Sequence, residues 1–142
     1  MKGIAETLDE FGKRELGEVK VLIVEDDPFI SKILITSLSK NGCVPYSTND
    51  GNEAIGLAEQ YMPNVIILDL MLPGMNGEDI LILLKKHNTL KDIPVIVFTN
   101  RSEDTDKKRV MDLGAALFFI KATTRLTDLT GTIKKIAESA KQ

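Results

Sequence analysis

The sequence predicts an α/β fold: a doubly wound sheet of five parallel strands, in the order 2-1-3-4-5, with five helices covering its two faces. Three observations carry the prediction. Short apolar runs rich in β-branched residues alternate five times with helical patterns of about ten residues or more, the rhythm of βαβ units. Two of those runs, Lys20-Val21-Leu22-Ile23-Val24 and Asn64-Val65-Ile66-Ile67-Leu68, are apolar at successive positions, as strands buried on both faces must be. Both stop on acids, Glu25-Asp26-Asp27 after the first and Asp69 after the second, and the carboxyl edge of such a sheet is where open α/β folds bind ligands.

The elements follow in order. The first strand is expected over Val19 to Val24, and Asp27-Pro28 then starts a helix with a side-chain cap and a proline in the first turn. Asn41-Gly42 stops it. The second strand is expected over Val44 to Ser47, with Cys43 read as a small apolar strand residue. A second helix from Asn52 to Tyr61 ends before Pro63. The third strand covers Val65 to Leu68. The third helix follows Gly77 and carries Ile80, Leu81, Ile82, Leu83 and Leu84, a stripe wide enough to predict that it is largely buried. The fourth strand is expected over Pro94 to Phe98. Ser102 is read as the cap of a fourth helix that runs to about Leu113 and ends at Gly114. A fifth strand, Leu117 to Ile120, and a fifth helix, from about Thr127 to Ala140, complete the pattern. Right-handed crossovers place helices on both faces and make the two acid-terminated strands neighbours.

Composition narrows the function. With 142 residues, 43% of them hydrophobic and 27% charged, the chain is one ordinary domain with a single core. A net charge of −3 gives no footprint for direct nucleic acid or anionic membrane binding. One cysteine cannot form an internal disulfide, no run approaches the roughly 20 apolar residues of a membrane span, and the N-terminus has no signal-peptide core, so a cytoplasmic location is expected. Residues 1–18 read as a weakly ordered leader or short helix, because Gly3, Gly12 and Gly17 interrupt the helical spacing of Ile4, Leu8 and Phe11. The domain is placed over residues 19–142.

The acids at the sheet edge define the chemistry. Carboxylates a few ångströms apart repel by roughly 1 kcal/mol per pair in water and about 4 at an effective dielectric of 20. A small divalent cation such as Mg²⁺ relieves this with the correct ligand type. Glu25 and Asp26 alone also fit an ordinary loop, and Asp27 fits a helix cap. Two later strand ends shift the balance: Phe98-Thr99 delivers a hydroxyl and Phe119-Ile120-Lys121 an ammonium to the same edge. A lysine directly after a buried strand is costly unless an anion pairs with it.

With Glu25-Asp26-Asp27-Pro28, Leu68-Asp69 leading to Pro73 and Gly77, Phe98-Thr99 and Gly114-Ala115 leading to Lys121, the sequence resembles the receiver domain of two-component response regulators, of the single-domain, chemotaxis type. The resemblance covers about Val19 to Gln142 and implies a flavodoxin-like sheet. It also implies Asp69 as phosphoacceptor. Mg²⁺, with Mn²⁺ as a substitute, would be held by Asp26, by Glu25 through water, by Asp69 and by the backbone carbonyl of Met71. Lys121 would hold the incoming phosphoryl oxygens and Thr99 would bond the bound group. Phe118 is the implied switch aromatic, although ordinary strand packing explains it as well and Phe119 is a rival. The implied donor is a sensor histidine kinase or histidine phosphotransfer protein. The implied output is a change in the surface of helix four, strand five and helix five that controls an unknown protein, the chain being a monomer or a weak phosphorylation-dependent dimer.

Three departures from the family pattern stand out: Ala122 follows Lys121 where proline is common, Asn100 follows Thr99 in place of a small residue, and Met71 and Arg101 occupy positions that tune water access in the family. His87, at the end of helix three, is read as a solvated residue, and Lys107-Lys108-Arg109 with Asp104 and Asp106 as an exposed helix face. The expectation is a phosphorylation-controlled switch that is not a turnover enzyme. The alternatives are an unphosphorylated pseudo-receiver scaffold, the receiver fragment of a larger transcription regulator or hybrid kinase, and an aspartyl-phosphate phosphatase. The phosphatase would want a general acid where Met71 stands.

Overall fold

The computed structural model describes residues 18–101 and 103–140. The elements are β1 (Val19–Val24), α1 (Pro28–Lys40), β2 (Cys43–Thr48), α2 (Gly51–Tyr61), β3 (Val65–Leu68), α3 (Gly77–Lys86), β4 (Val95–Thr99), α4 (Asp104–Asp112), β5 (Leu117–Ile120), a 3₁₀ turn (Lys121–Thr123) and α5 (Leu126–Ala140). All strand pairs are parallel and the order is β2-β1-β3-β4-β5, as predicted. The leader expected over residues 1–18 lies, apart from Glu18, outside the described residues.

Alternation along the strands splits the core into two halves. Leu22, Val24, Ile66, Leu68, Val95 and Val97 face Ala54 and Ala58 of α2, Ile80, Leu81 and Leu84 of α3, and Val110 of α4. Val21, Ile23, Val65, Ile67, Ile96 and Phe98 face Leu34 and Leu38 of α1 and Leu129, Ile133 and Ala137 of α5. Side chains of this size stabilise by about 1.5–3 kcal/mol each when fully buried, so both layers of helices are held by the sheet. Pro45, which cannot donate to a ladder, sits on the edge strand β2, where its missing N–H costs least.

Local signals account for most boundaries. The Asp27 carboxylate accepts from the N–H groups of Phe29 (2.9 Å) and Ile30 (3.3 Å), capping α1. Met62, in the left-handed region at φ 46°, ends α2 immediately before Pro63. Cys43 is buried and free, as expected of a strand residue. Four expectations need correction. β2 is longer than predicted at both ends. β4 starts at Val95, because Pro94 contributes only its carbonyl, which accepts from Ile66 N–H at 3.0 Å, and it ends on Thr99. α4 starts at Asp104 with Glu103 at the cap position and no side-chain cap bond; Ser102 lies outside the described residues. The α3 stripe is narrower than expected, since Leu83 is 44% exposed: five successive apolar residues cover more of a helix than one sheet can bury.

Candidate functional site

The strand register brings the predicted residues together. Glu25 N–H donates to the Thr48 carbonyl (3.0 Å) and Asp69 N–H to the Val24 carbonyl (3.1 Å), so both acids continue the sheet ladder one step past their strands. β1 and β3 are direct neighbours, which sets Glu25 and Asp69 side by side, each 3% exposed. Asp26, next along the loop, is exposed. Glu25, Asp26 and Asp69 each offer a carboxylate oxygen, and these oxygens all lie within 4.8 Å of one another.

Lys121 closes the pocket from β5. Its Nζ donates to Asp69 Oδ2 at 2.7 Å and lies 2.8 Å from Glu25 Oε1 and 2.9 Å from Oε2, with the side chain only 9% exposed. Burial alone would lower the Lys121 pKa, but hydrogen bonds and charge from Asp69 and Glu25 outweigh it and raise the value, so the group is a cation. Burial raises the Glu25 pKa; Lys121 and the Asp27 N–H, which donates to Oε2 at 3.1 Å, oppose the shift without cancelling it. Three carboxylates facing one ammonium leave two negative charges when all are ionised. The donor set is all oxygen and sits on a solvent-facing edge, so a hard divalent cation fits it in both charge and ligand type.

The loop after β3 is held tightly around the phosphoacceptor candidate. Asp69 Oδ1 accepts from Met71 N–H at 3.0 Å, and the Gly77 N–H donates to the Leu70 carbonyl at 3.1 Å. Gly77 has no room for a side chain: a Cβ there would lie 2.3 Å from the Asp69 carbonyl oxygen and 2.6 Å from Leu70 Cα. Gly74 turns the loop at φ 79°, a conformation that favours glycine. The Met71 side chain is 55% exposed beside the pocket.

Thr99 ends β4 fully buried, paired in register with Ile120, the residue before Lys121. Its Oγ1 accepts from Arg101 N–H at 3.3 Å. The structure separates the two candidate aromatics. Phe118 pairs with Val97 and packs into the α2–α3–α4 half of the core, whereas Phe119 packs into the α1–α5 half. By strand alternation Thr99 shares the face of Val97, so Phe118 and not Phe119 stands on the side of the sheet that Thr99 faces. Asn100 is exposed, and there is no cis peptide bond among the described residues, so the chain leaves Lys121 through a trans bond into the 3₁₀ turn.

Two readings of charged residues change. Lys107 and Lys108 are exposed as expected, but Asp106 is only 8% exposed and is bound by Arg101 and Arg109, which also bind Glu78 on α3. The i,i+3 spacing of Asp106 and Arg109 is visible in sequence; the contact with Glu78, 31 positions away, is not. His87 caps α3 and pairs through Nε2 with Glu59 Oε2 at 2.7 Å, tying α3 to α2 where a solvated side chain was expected.

A parallel 2-1-3-4-5 sheet whose β1, β3 and β5 ends deliver an acid pair, a single aspartate and a lysine into one pocket defines a flavodoxin-like fold with an acidic pocket at the carboxyl edge of its strands. Residues 21–134 match the response regulator receiver domain, and the chain belongs to that family. Among curated relatives, it is 38% identical over 102 residues to the "Probable transcriptional regulator ycf27" of Guillardia theta, covering 72% of this chain and 39% of that protein. The chain thus spans about two-fifths of the length of the curated relatives it matches. Among solved structures, it superposes on the signal receiver domain of a putative Luxo repressor protein from Vibrio parahaemolyticus with a TM-score of 0.80 at 27% identity, covering 87% of this chain and 93% of that one. The Mn(2+)-bound form of response regulator Rcp1 superposes with a TM-score of 0.68 at 28% identity, covering 83% and 91%.

Proposed function

We infer that this receiver domain is a phosphorylation-activated signalling switch that takes a phosphoryl group from a phosphohistidine onto Asp69. The observation that carries the reading is the Lys121 ammonium shared between Asp69 and Glu25 inside a cluster of three acids. In the reaction an Asp69 carboxylate oxygen forms the new O–P bond while the P–N bond to the donor imidazole breaks; the imidazole leaves with the electron pair and is protonated by solvent. Lys121 turns from Asp69 to the phosphoryl oxygens as they arrive, balancing part of a group that carries about −1.5 to −2 charges. The Met71 N–H keeps the Asp69 carboxylate oriented, and the Thr99 hydroxyl donates to a phosphoryl oxygen once the group is bound.

Asp26, Asp69, the Met71 carbonyl and, through water, Glu25 would hold Mg²⁺, which would supply charge neutralisation of the phosphoryl oxygens. The Mn(2+)-bound relative supports Mn²⁺ as a substitute. The donor is a sensor histidine kinase or histidine phosphotransfer protein. Phe29, 71% exposed at the start of α1, and a cavity of about 570 Å³ running from Glu25 and Asp26 past Lys32, Ile35 and Asn49 leave the acid side of the pocket open to it. With Thr99 drawn to the phosphoryl group, Phe118 moves into the space behind it and the α4–β5–α5 surface changes, a population shift between two packings. The relative ycf27 suggests a transcriptional output, reached through a DNA-binding protein or a further domain rather than by this domain binding DNA itself. The domain works in the cytoplasm and promotes its own modification without turning over a substrate. Among the described residues, no helix is long and apolar enough to cross a membrane.

Incubation with acetyl phosphate and Mg²⁺ followed by intact mass tests the reading. The expected result is a single added phosphoryl group that is absent after EDTA treatment and absent in Asp69→Asn. A folded protein that never labels points to the scaffold alternative, and rapid multiple turnover points to a phosphatase.

A further inference from the structure

Four charged side chains form a cluster that acyl phosphate chemistry does not require. Glu78 lies in the first turn of α3, Arg101 in the β4–α4 loop, and Asp106 and Arg109 on α4. Arg101 Nη2 donates to Asp106 Oδ1 at 2.7 Å and to Glu78 Oε2 at 3.4 Å. Arg109 donates through Nη2 to Asp106 Oδ1 at 2.8 Å and through Nε to Glu78 Oε2 at 2.8 Å, and its Nη2 also contacts Glu78 Oε2. The hydrogen bond from Arg101, helped by Arg109, holds the Asp106 carboxyl below the usual range.

Two further observations give the cluster a role. α4 buries only one apolar residue, Val110, together with Asp106, so hydrophobic packing holds this helix weakly and the ion pairs are a large part of its attachment. The same arginine also reaches the pocket, because the Arg101 N–H donates to the buried Thr99 hydroxyl, one strand over from Asp69.

We propose that Glu78, Arg101, Asp106 and Arg109 form an ionic latch that holds α4 and the β4–α4 loop against α3 in the unphosphorylated protein, and that a phosphoryl group on Asp69 opens it. The inference rests on the phosphoacceptor reading of Asp69. When the Thr99 hydroxyl turns toward a phosphoryl oxygen, it gives up its place against the Arg101 amide. Once opened, the latch leaves α4 seated on Val110 and, at its C-terminal end, on the half-buried Leu113. Linkage makes the coupling reciprocal: whatever stabilises the closed latch opposes occupancy of the phosphoryl position, and removing it favours occupancy by the same factor.

The test uses beryllofluoride, a mimic of the aspartyl phosphate, with Mg²⁺, reading its affinity by calorimetry and the hydrogen exchange of residues 100–112. In the wild type, beryllofluoride should speed exchange across α4. Glu78→Gln should show fast α4 exchange without the mimic and bind it about threefold more tightly, the size expected of a partly exposed ion-pair network. In an Arg101→Gln, Arg109→Gln background, which removes both partners of Glu78, Glu78→Gln should change neither readout. Lys108→Gln, which removes a cation of the outward-facing Lys108–Asp112 pair on the same helix, should behave as wild type. An affinity for Glu78→Gln equal to that of wild type, or an equal shift in Lys108→Gln, overturns the latch while leaving the phosphoacceptor reading intact. A folded wild type that neither binds beryllofluoride nor labels with acetyl phosphate overturns both.

Discussion

Lys121 Nζ lies 2.7 Å from Asp69 Oδ2, although 52 positions separate the two residues along the chain. The pair is almost fully withdrawn from water, with side chains 9% and 4% exposed, and the same ammonium also satisfies Glu25. Removing one partner of a buried pair costs more than the pair itself contributes, because the charge left behind has no counter-ion.

Lys121→Ala should therefore destabilise the metal-free protein by about 3–5 kcal/mol, with part of the loss recovered on adding Mg²⁺. The labelling rate with acetyl phosphate should fall by roughly 10²–10³, as when a donor aimed at developing charge is removed. Mg²⁺ affinity should be no weaker than in the wild type, since a competing cation has gone. Urea titration with and without Mg²⁺, beside Mg²⁺ titration, checks all three; a parallel loss of Mg²⁺ affinity and labelling would contradict the role of Lys121.

Gly77→Ala should be destabilising by about 1–3 kcal/mol and should slow labelling of Asp69. The added methyl would collide with the backbone that leaves Asp69, at the Asp69 carbonyl oxygen and Leu70 Cα, and no flexible side chain is there to yield. A urea midpoint unchanged from wild type would show that the β3–α3 loop relaxes without strain.

Met62→Gly should stabilise the protein by about 0.5–1 kcal/mol. Met62 adopts φ 46° and is 46% exposed, so glycine relieves the left-handed conformation and gives up little burial. Thermal unfolding of the variant beside wild type reads the difference, and a lower midpoint contradicts the expectation.

Asp106 gives the latch a pH signature. Its folded-state pKa is lowered, first by the Arg101 hydrogen bond and further by Arg109. A lowered carboxylate pKa contributes stability that is present above the unfolded-state value of about 3.9 and disappears as pH falls through the lower folded value. Asp106→Asn should flatten the fall in stability below about pH 4 and leave the slope between about pH 6 and 8 unchanged. Urea unfolding across that range checks it; an acid limb as steep as in the wild type would remove Asp106 from the cause.

The strands and their order were legible because both faces of the sheet are covered, which forces continuous apolar runs in β1, β3 and β4. The site was legible for a related reason: buried strands that end on charged or hydroxyl residues are conspicuous against apolar background, and Glu25, Asp69, Thr99 and Lys121 all stand there. Helix starts were read well where a side chain caps them, as at Asp27, and poorly at α4, where Glu103 makes no cap bond. The choice between Phe118 and Phe119 was not readable from composition, since the two are chemically alike and differ only in the face they occupy.

The sequence alone determined which residues end the strands, and hence the chemical inventory of the pocket, because backbone periodicity and local turn chemistry act over a few residues. Only the tertiary structure decided which of those groups are paired. The Lys121 bridge to Asp69 and Glu25, the Glu59–His87 pair and the Glu78–Arg101–Asp106–Arg109 cluster join elements far apart along the chain. A charge in sequence carries no mark of the partner that packing will set beside it, and at these distances Coulomb attraction is decided by that placement and by how much water it excludes.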